Sequence, residues 1–139
     1  MIKRPTAPLL RQKGLRDTQS RRMVLAALER RNKAHSPYEL QKQISAGGNT
    51  INTVTVYRVL DVLEKAGLAH RHPCNGLYSL CSMPEQKGHH GFLHCTSCGT
   101  IEEFSDHRLC RLEDSIAKSA KFRPSEHVSE IVGTCSACH

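Results

Sequence analysis

The amino-acid sequence predicts an α+β protein made of two small domains, and three observations carry that prediction. Apolar residues recur at helical spacing along the first half, whereas the second half alternates short apolar stretches of strand length with one helical pattern. Charge divides in the same way: residues 1–82 carry 14 basic and 5 acidic side chains, a net charge of +9, and residues 83–139 carry 6 and 8, a net charge of −2. We therefore expect a first domain over 1–82, a hinge over 83–88 and a second domain over 89–139.

The first domain is expected to contain three main helices. Residues 1–17 are basic and irregular and predict an arm or one short helix, and helical periodicity is clear over 18–31. The run Ser36-Pro37-Tyr38-Glu39 is a capping box with proline at the first helical position. A second helix should therefore start there and run to about Ser45.

A third helix is predicted from Asn52 or Thr53 to just before Gly67. Its apolar residues have the i, i+3, i+4, i+7 spacing of a buried stripe: Val56, Val59, Leu60 and Leu63. Two short apolar stretches then flank Asn75-Gly76, which is a strong signal for a hairpin turn. Three helices followed by a hairpin are typical of a winged helix-turn-helix.

The second domain is expected to be a small α/β domain with an antiparallel sheet. Apolar patterning predicts strands over 91–95 and 100–104, a helix over 106–120 and a last strand over 127–133. A domain of this size buries little apolar surface, so a structural metal would help to hold it together.

Two Cys-x-x-Cys pairs, Cys95 with Cys98 and Cys135 with Cys138, give the strongest chemical signal. Four thiolates form a tetrahedral cage for zinc, and such a cage has no open position for water, so this zinc should be structural. The 36 residues between the pairs exceed the spacing of a compact zinc ribbon. The ion would therefore hold the strand predicted over 127–133 against the strands predicted over 91–95 and 100–104. A redox role is the weaker interpretation, because one redox motif does not need a second pair.

The remaining His and Cys residues crowd the expected hinge. Seven potential ligands fall within 25 residues: His70, His72, Cys74, Cys81, His89, His90 and His94. A single His is ordinarily a solvated or core side chain, but imidazoles together with a thiolate suit zinc better than magnesium or manganese. At least one regulatory zinc per chain, joining the hairpin to the second domain, would couple metal occupancy to the domain angle.

The basic first domain indicates a nucleic-acid partner. Thr55, Tyr57 and Arg58 lie near the start of the third helix, where a recognition helix meets base edges, and the Arg58 guanidinium suits guanine. Other basic residues are candidate phosphate contacts: Arg16 and Arg21, with Lys3, Arg4, Arg11, Lys13 and Arg22. A solvated basic surface is the alternative interpretation.

Other classes of protein fit the sequence less well. We expect no membrane or small organic substrate as a partner, and the absence of a leader or a bilayer-length apolar run predicts the cytosol, where thiols stay reduced. A zinc hydrolase or deaminase needs an open metal position, and no His-x-Glu run occurs. A thiol oxidoreductase is the remaining alternative, and alkylation that abolishes activity without loss of metal would identify it.

Three runs of the sequence resemble motifs of the ferric uptake regulator family. They are Gly14-Leu15-Arg16-Asp17-Thr18-Gln19-Ser20-Arg21, Thr53-Val54-Thr55-Val56-Tyr57-Arg58-Val59-Leu60 and His89-His90-Gly91-Phe92-Leu93-His94-Cys95-Thr96-Ser97-Cys98-Gly99. The resemblance covers roughly residues 12–138. It implies a homodimeric, metal-dependent transcriptional repressor rather than an enzyme. Such a protein binds double-stranded operator DNA through the winged helix and dimerises through the α/β domain.

Within that family the chain is most similar to the zinc uptake regulators. The resemblance implies a regulatory zinc with these ligands: His70, Cys81, His89 or His90, and Glu103. Iron regulators usually carry a carboxylate where Cys81 stands, so the expected function is repression of zinc-homeostasis genes. A family member that senses iron, manganese, nickel or peroxide is the alternative.

The resemblance also makes a third metal site conceivable. In relatives that site draws on an acidic residue of the helix after the first Cys pair, and Cys110 stands at that place here. The resulting candidate set is His89, Cys110 and His127.

Overall fold

The structure is a computed structural model that describes residues 6–29, 33–84, 89–125 and 127–139. The chain divides after Cys81 into two compact units, which we call the N-terminal unit and the C-terminal unit. Of the hinge expected over 83–88, residues 85–88 lie outside the described part of the chain.

The described residues of the N-terminal unit form four helices. They are α1 (Thr6–Gln12), α2 (Gln19–Glu29), α3 (Pro37–Ala46) and α4 (Thr53–Lys65). The three helices that the sequence predicts are α2, α3 and α4, and α1 is the short helix that was one of two alternatives for residues 1–17. Two candidate phosphate contacts, Lys3 and Arg4, lie outside the described residues.

Local sequence signals account for the ends of these helices. The capping box is formed as predicted: the Glu39 N–H donates to Ser36 Oγ at 3.1 Å, and the Ser36 N–H donates to Glu39 Oε2 at 2.9 Å. At the C-terminal end of α4, Gly67 adopts a φ of 74°, and the Leu68 N–H donates to the Leu63 carbonyl at 2.9 Å. This Schellman ending favours glycine, because a side chain is disfavoured at positive φ.

The core of the N-terminal unit is the predicted stripe of α4 packed among apolar residues of α1, α2 and α3. Val56, Leu60 and Leu63 have no exposed surface, and Val59 is 6% exposed. Burial of each such side chain contributes about 1.5–3 kcal/mol, so packing rather than helix propensity holds α4 in place.

A short hairpin completes the N-terminal unit. Strands β1 (Ala69–Arg71) and β2 (Tyr78–Leu80) pair antiparallel, with His70 opposite Ser79. The buried His72 ring makes a 2.7 Å hydrogen bond with Ser79 Oγ at the turn end of the hairpin. Three helices and this hairpin form the expected winged helix-turn-helix.

The C-terminal unit is a three-stranded sheet with one helix. Its elements are β3 (Gly91–Cys95), β4 (Ile101–Phe104), α5 (His107–Ser119) and β5 (Ser129–Gly133), and the strand order is β4-β3-β5. The antiparallel pairing expected for this sheet holds for β3 and β4, but β5 pairs with β3 in parallel, so the sheet is mixed. β4 ends beside Gly91 and β5 begins beside the same residue, so the segment between them returns the chain to the end of the sheet at which β4 ends, and β5 runs parallel to β3.

No helix in the described part of the chain is long and apolar enough to cross a membrane.

Candidate metal centres and DNA-binding surface

The parallel pairing of β3 and β5 brings the two Cys pairs together. Cys95 is the last residue of β3, and Cys135 follows β5 by two residues, so both pairs lie at the carboxyl ends of neighbouring strands. The four sulfur atoms lie within 4.8 Å of one another, and Cys98 Sγ is 3.8 Å from Cys135 Sγ. Tetrahedral zinc with bonds of about 2.3 Å separates its sulfurs by about 3.8 Å, so these residues fit the ion.

The polypeptide around this Cys cage already stabilises thiolates. Main-chain N–H groups of Cys98 and then Cys135 lower the pKa of Cys95 to about 6, and the Thr100 side chain, 3.1 Å from Cys98 Sγ, is the first cause of a lowered pKa at Cys98. Hydrogen bonds with the neighbouring Cys135 and Cys98 thiols raise the pKa of Cys138 to about 12. Binding of a divalent cation to the four sulfurs would displace the thiol protons that remain.

Two further candidate ligands lie together in the N-terminal unit. His70 is on β1, Cys81 follows β2, and their ligand atoms are within 4.8 Å of each other. Cys81 is 3% exposed, and its N–H donates to the Leu68 carbonyl at 2.8 Å, which continues the hairpin ladder. The hairpin thus places an imidazole beside a thiol at its open end.

A second pair lies in the C-terminal unit. His90 precedes β3 and contacts Glu103 of β4 through its Nδ1 and Oε1 atoms, and both side chains are at most 5% exposed. The other carboxylate oxygen accepts hydrogen bonds from the Ser82 N–H at 2.7 Å and the Ser82 hydroxyl at 2.9 Å. These hydrogen bonds hold the buried carboxylate in position.

The structure separates the two adjacent histidines. His89 lies not with Glu103 but with Glu113 and His127, and the ligand atoms of these three residues are within 4.8 Å of one another. Glu113 Oε2 is 2.6 Å from His89 Nε2 and 3.3 Å from His127 Nδ1, and the two rings stack with their centroids 4.7 Å apart. We call His89, Glu113 and His127 the third cluster.

Glu113 is a further candidate ligand at the third site, which the resemblance makes conceivable with His89, Cys110 and His127. It stands one helical turn after Cys110 on α5. The Ser129 hydroxyl, which donates to Glu113 Oε1 at 2.6 Å, is the main cause of a lowered pKa at Glu113. Sequence reasoning missed this residue, although its position three residues after Cys110, on the same helix face, was available as a signal.

The start of α4 presents the predicted DNA-reading residues. Tyr57 is 53% exposed and Arg58 is also exposed. Thr55 is half-buried, its N–H donates to the Asn52 side chain at 2.8 Å, and it borders a groove of about 510 Å³ between the first turns of α2 and α4.

The basic residues before α4 do not all serve one purpose. Arg16 is exposed, and the Arg21 guanidinium donates to the Arg16 carbonyl at 2.9 Å, which holds the loop before α2. Asp17 lies 3.1 Å from Arg22 and 3.6 Å from Arg11, so part of the predicted positive surface is neutralised within the unit.

Comparison with known proteins agrees on the family. The sequence pattern described as "Ferric uptake regulator family" matches residues 12–132. A "Ferric uptake regulation protein" of Legionella pneumophila is 36% identical over 130 residues, which span 93% of this chain and 95% of that protein.

Two solved structures have the same fold over nearly the whole chain. One is a zinc uptake regulator complexed with zinc and DNA, which is 27% identical with a TM-score of 0.86 and covers 94% of this chain and 87% of that one. The other is holo XcZur, also 27% identical, with a TM-score of 0.84 and coverage of 94% and 92%.

Proposed function

This chain belongs to the ferric uptake regulator family of DNA-binding transcription regulators, and we propose that it is a zinc-responsive repressor that binds operator DNA as a metal-loaded homodimer. Members of this family regulate transcription and are not enzymes. The relative named above is called a ferric uptake regulation protein, whereas one of the two solved structures is called a zinc uptake regulator and the other XcZur. The choice of metal therefore depends on this chain's own residues.

One observation carries the choice of zinc: the buried Cys81 thiol within 4.8 Å of a His70 ring nitrogen. A thiolate with an imidazole is a donor set that suits zinc, whereas carboxylate and water ligands suit manganese. When bound, zinc supplies charge and fixed geometry to its ligands and needs no redox change.

Each unit offers half of a tetrahedral site. His70 and Cys81 supply two ligands from the N-terminal unit, and His90 and Glu103 supply two from the C-terminal unit. Two ligands leave a zinc ion coordinatively unsaturated, and our proposal is that the two pairs complete one regulatory site. Ser82, which holds Glu103, directly follows Cys81 in the chain.

The Cys cage has a different role in this proposal. Its four thiols lie within one unit and would hold a structural zinc that persists in the absence of the regulatory ion. Only the shared site would then respond to changes in free zinc.

A second copy of the chain is the proposed occupant of the apolar face of the C-terminal unit. α5 is amphipathic, but none of its residues is buried. Six large apolar side chains of this unit are between 44% and 69% exposed: Leu112, Ile116, Phe122, Val128, Ile131 and Val132. Exposed apolar side chains on this scale are typical of a surface that binds a partner, and a symmetric dimer would present two α4 helices to successive major grooves.

The test compares metals on one DNA probe. The protein, with its structural zinc retained, first selects duplexes from a randomised pool in parallel runs with Zn²⁺ and Mn²⁺. Its affinity for one enriched duplex is then measured at a series of buffered free metal concentrations. Zinc binds more tightly than manganese at almost any protein site, so tighter zinc binding alone is not informative. The informative quantity is the ratio of the free zinc to the free manganese concentration that activates DNA binding. This ratio is compared between the wild type and Cys81→Asp.

The expected result is that Cys81→Asp shifts this ratio toward manganese by at least about tenfold, the loss typical of a disturbed metal site. Cys74→Ser, which changes an exposed thiol of the hairpin turn, is the matched control and should leave the ratio unchanged. An unchanged ratio in Cys81→Asp would overturn the assignment of zinc to this site.

A further inference from the structure

The outward face of α4 carries two apolar side chains that the fold does not bury. Val54 is 59% exposed, and Tyr57, three residues further along the helix, is also more than half exposed. Among the described residues of the N-terminal unit, Tyr38 of α3 is the one other large apolar residue exposed to this degree. Val54 is thus the exposed aliphatic residue of this group, and its side chain contributes little to the core.

Helix geometry directs Val54 away from the core. Nine residues separate Val54 from the fully buried Leu63, and nine residues make about two and a half helical turns, so the two side chains lie on opposite sides of α4. Arg58 follows Val54 by four residues and is exposed on the same side. The outward face therefore presents an aliphatic side chain, an aromatic ring and a guanidinium within the first two turns of α4.

Valine is an unfavourable choice for an exposed helical position. Its branched Cβ restricts the side chain in a helix, so its helix propensity is lower than that of alanine. Contact with water does not compensate, because the side chain is apolar. A single exposed apolar residue is ordinary on a protein surface, but Val54 adjoins Tyr57 and Arg58 on the helix that the proposed function presents to DNA.

We propose that Val54 selects part of the operator sequence by packing against the C5 methyl group of a thymine. The proposal rests on the DNA binding proposed above, in which α4 enters the major groove. The thymine methyl is the apolar group among those that distinguish base pairs in that groove, since the others are hydrogen-bond donors and acceptors. An aliphatic side chain has no hydrogen-bonding atom, so it recognises thymine through this methyl group.

Charge favours DNA over another protein as the partner of this face. Residues 1–82 carry a net charge of +9, and Arg58 stands one turn after Val54. The same face continues with Asp61 and Lys65, which are paired at 2.9 Å. Charged residues are depleted at the centre of protein interfaces, whereas a guanidinium and an apolar group side by side suit the edges of base pairs.

The spacing of Val54 and Arg58 makes the proposal more specific. A rise of 1.5 Å per residue places Arg58 about 6 Å beyond Val54 along α4, which is about two base steps of 3.4 Å. The Arg58 guanidinium suits guanine, as stated above. We therefore expect a guanine within about two base pairs of the thymine that Val54 contacts.

Replacement of thymine by deoxyuridine tests the proposal, because uracil differs from thymine only in lacking the C5 methyl group. The full-length protein, with its structural zinc retained, selects duplexes from a randomised pool in parallel runs with Zn²⁺ and Mn²⁺. Each thymine that the selection fixes is then replaced by deoxyuridine in both half-sites of one enriched duplex. The affinities of the wild type and of Val54→Ala for these duplexes are measured at a saturating concentration of the metal used for selection.

We expect deoxyuridine at one thymine position to lower the wild-type affinity about fourfold per half-site, the effect of removing one buried methyl group, and thus about sixteenfold when both half-sites are changed. Val54→Ala, which lacks the Cγ methyl groups, should bind the two duplexes with affinities that differ by less than about twofold. Alanine is the better helix former, so weakening of α4 cannot cause this result.

Tyr38→Ala is the matched control, because it removes an exposed apolar side chain of the same unit from α3 instead of α4. This variant should keep the full dependence on the thymine methyl group. A thymine whose replacement still weakens binding by Val54→Ala is contacted by another residue, so the comparison of variants assigns one position to Val54.

Two results would overturn the proposal: enriched duplexes in which no thymine is fixed, or deoxyuridine substitutions that weaken the wild type and Val54→Ala by the same factor at every fixed thymine. In both cases the protein still binds DNA with metal, so the proposed repressor function stands. A response to manganese instead of zinc would refute that function and leave this test intact. A protein that enriches no duplex with either metal would refute both.

Discussion

The Cys cage and the proposed regulatory site are built in opposite ways. All four cage ligands belong to the C-terminal unit, on turns that extend two paired strands, and hydrogen bonds already position their sulfurs. The ligands proposed for the regulatory site are divided between the units, with two in each. Local organisation before the metal binds favours a permanent site, because little ordering remains to be done on binding.

A divided site has the opposite advantage. Its affinity includes the free energy of bringing two pairs of ligands together, so it is weaker than its donors alone would make it. The same feature makes occupancy report on domain arrangement, which a site within one rigid unit cannot do. The difference predicts that one site controls folding and the other controls DNA binding.

Cys98→Ser should have the largest effect. Structural zinc sites contribute about 10–16 kcal/mol of apparent binding free energy in zinc-finger peptides, which matches or exceeds the whole stability of a small domain. We expect this variant to lose the cage zinc, the cooperative unfolding of the C-terminal unit and the dimer. Metal analysis, thermal denaturation and sedimentation measure these three losses.

Cys74→Ser is the control for removal of a thiol, because Cys74 is exposed in the N-terminal unit. It should retain zinc, unfolding behaviour and dimer. A Cys98→Ser protein that remains a dimer with a full complement of cage zinc would contradict the structural role.

His90→Ala and His89→Ala form the sharpest pair for the regulatory site, because the two residues are adjacent. His90 contacts Glu103, whereas His89 contacts Glu113. We expect His90→Ala to raise the free zinc needed for DNA binding by at least about tenfold, with the dimer intact. His89→Ala should leave that concentration unchanged. Fluorescence anisotropy of a labelled duplex over buffered zinc measures both.

The reverse outcome, in which His89→Ala shifts the response and His90→Ala does not, would show that the histidines have exchanged roles in solution. Equal shifts would show that the third cluster also controls DNA binding. Either result would contradict the proposal that the Cys cage controls folding and that the site with His90 alone controls DNA binding.

The sequence predicted what depends on neighbours along the chain. The capping box at Ser36, the start of α4 at Asn52 and the helix end at Gly67 are local signals, and the structure confirms all three. The family resemblance, which depended on short runs, is confirmed by the match over residues 12–132.

What the sequence did not predict depends on how distant segments meet. The parallel direction of β5 follows from the path of the segment between β4 and β5, which periodicity does not record. The separation of His89 from His90 is seen only in the fold, where His89 contacts Glu113 of α5 and His90 contacts Glu103 of β4. Glu113 joins His89 and His127 only when helix and sheet are packed, and its position three residues after Cys110 does not by itself show that contact.

Ser82→Ala should have the smallest effect and tests how finely the regulatory half-site is adjusted. The Ser82 hydroxyl donates to Glu103 Oε2 at 2.9 Å, while the Ser82 main-chain N–H donates to the same atom at 2.7 Å and is untouched by the substitution. Loss of one hydrogen bond of about 1 kcal/mol should raise the free zinc needed for DNA binding about fivefold. DNA affinity at saturating zinc should stay constant, because the folded dimer is unchanged.

Ser97→Ala supplies the matched control, since Ser97 is an exposed serine of the Cys95–Cys98 turn in the same unit. If Ser82→Ala lowers thermal stability but leaves the zinc response unchanged, then Glu103 is a packing residue. The proposed regulatory site would then lack one of its four ligands. If Ser82→Ala shifts the zinc response alone, the carboxylate must be a ligand whose orientation limits affinity. A hydroxyl outside any coordination sphere would then set the zinc concentration at which the protein responds, while the cage, with its ligands held by main-chain hydrogen bonds, stays insensitive to such changes.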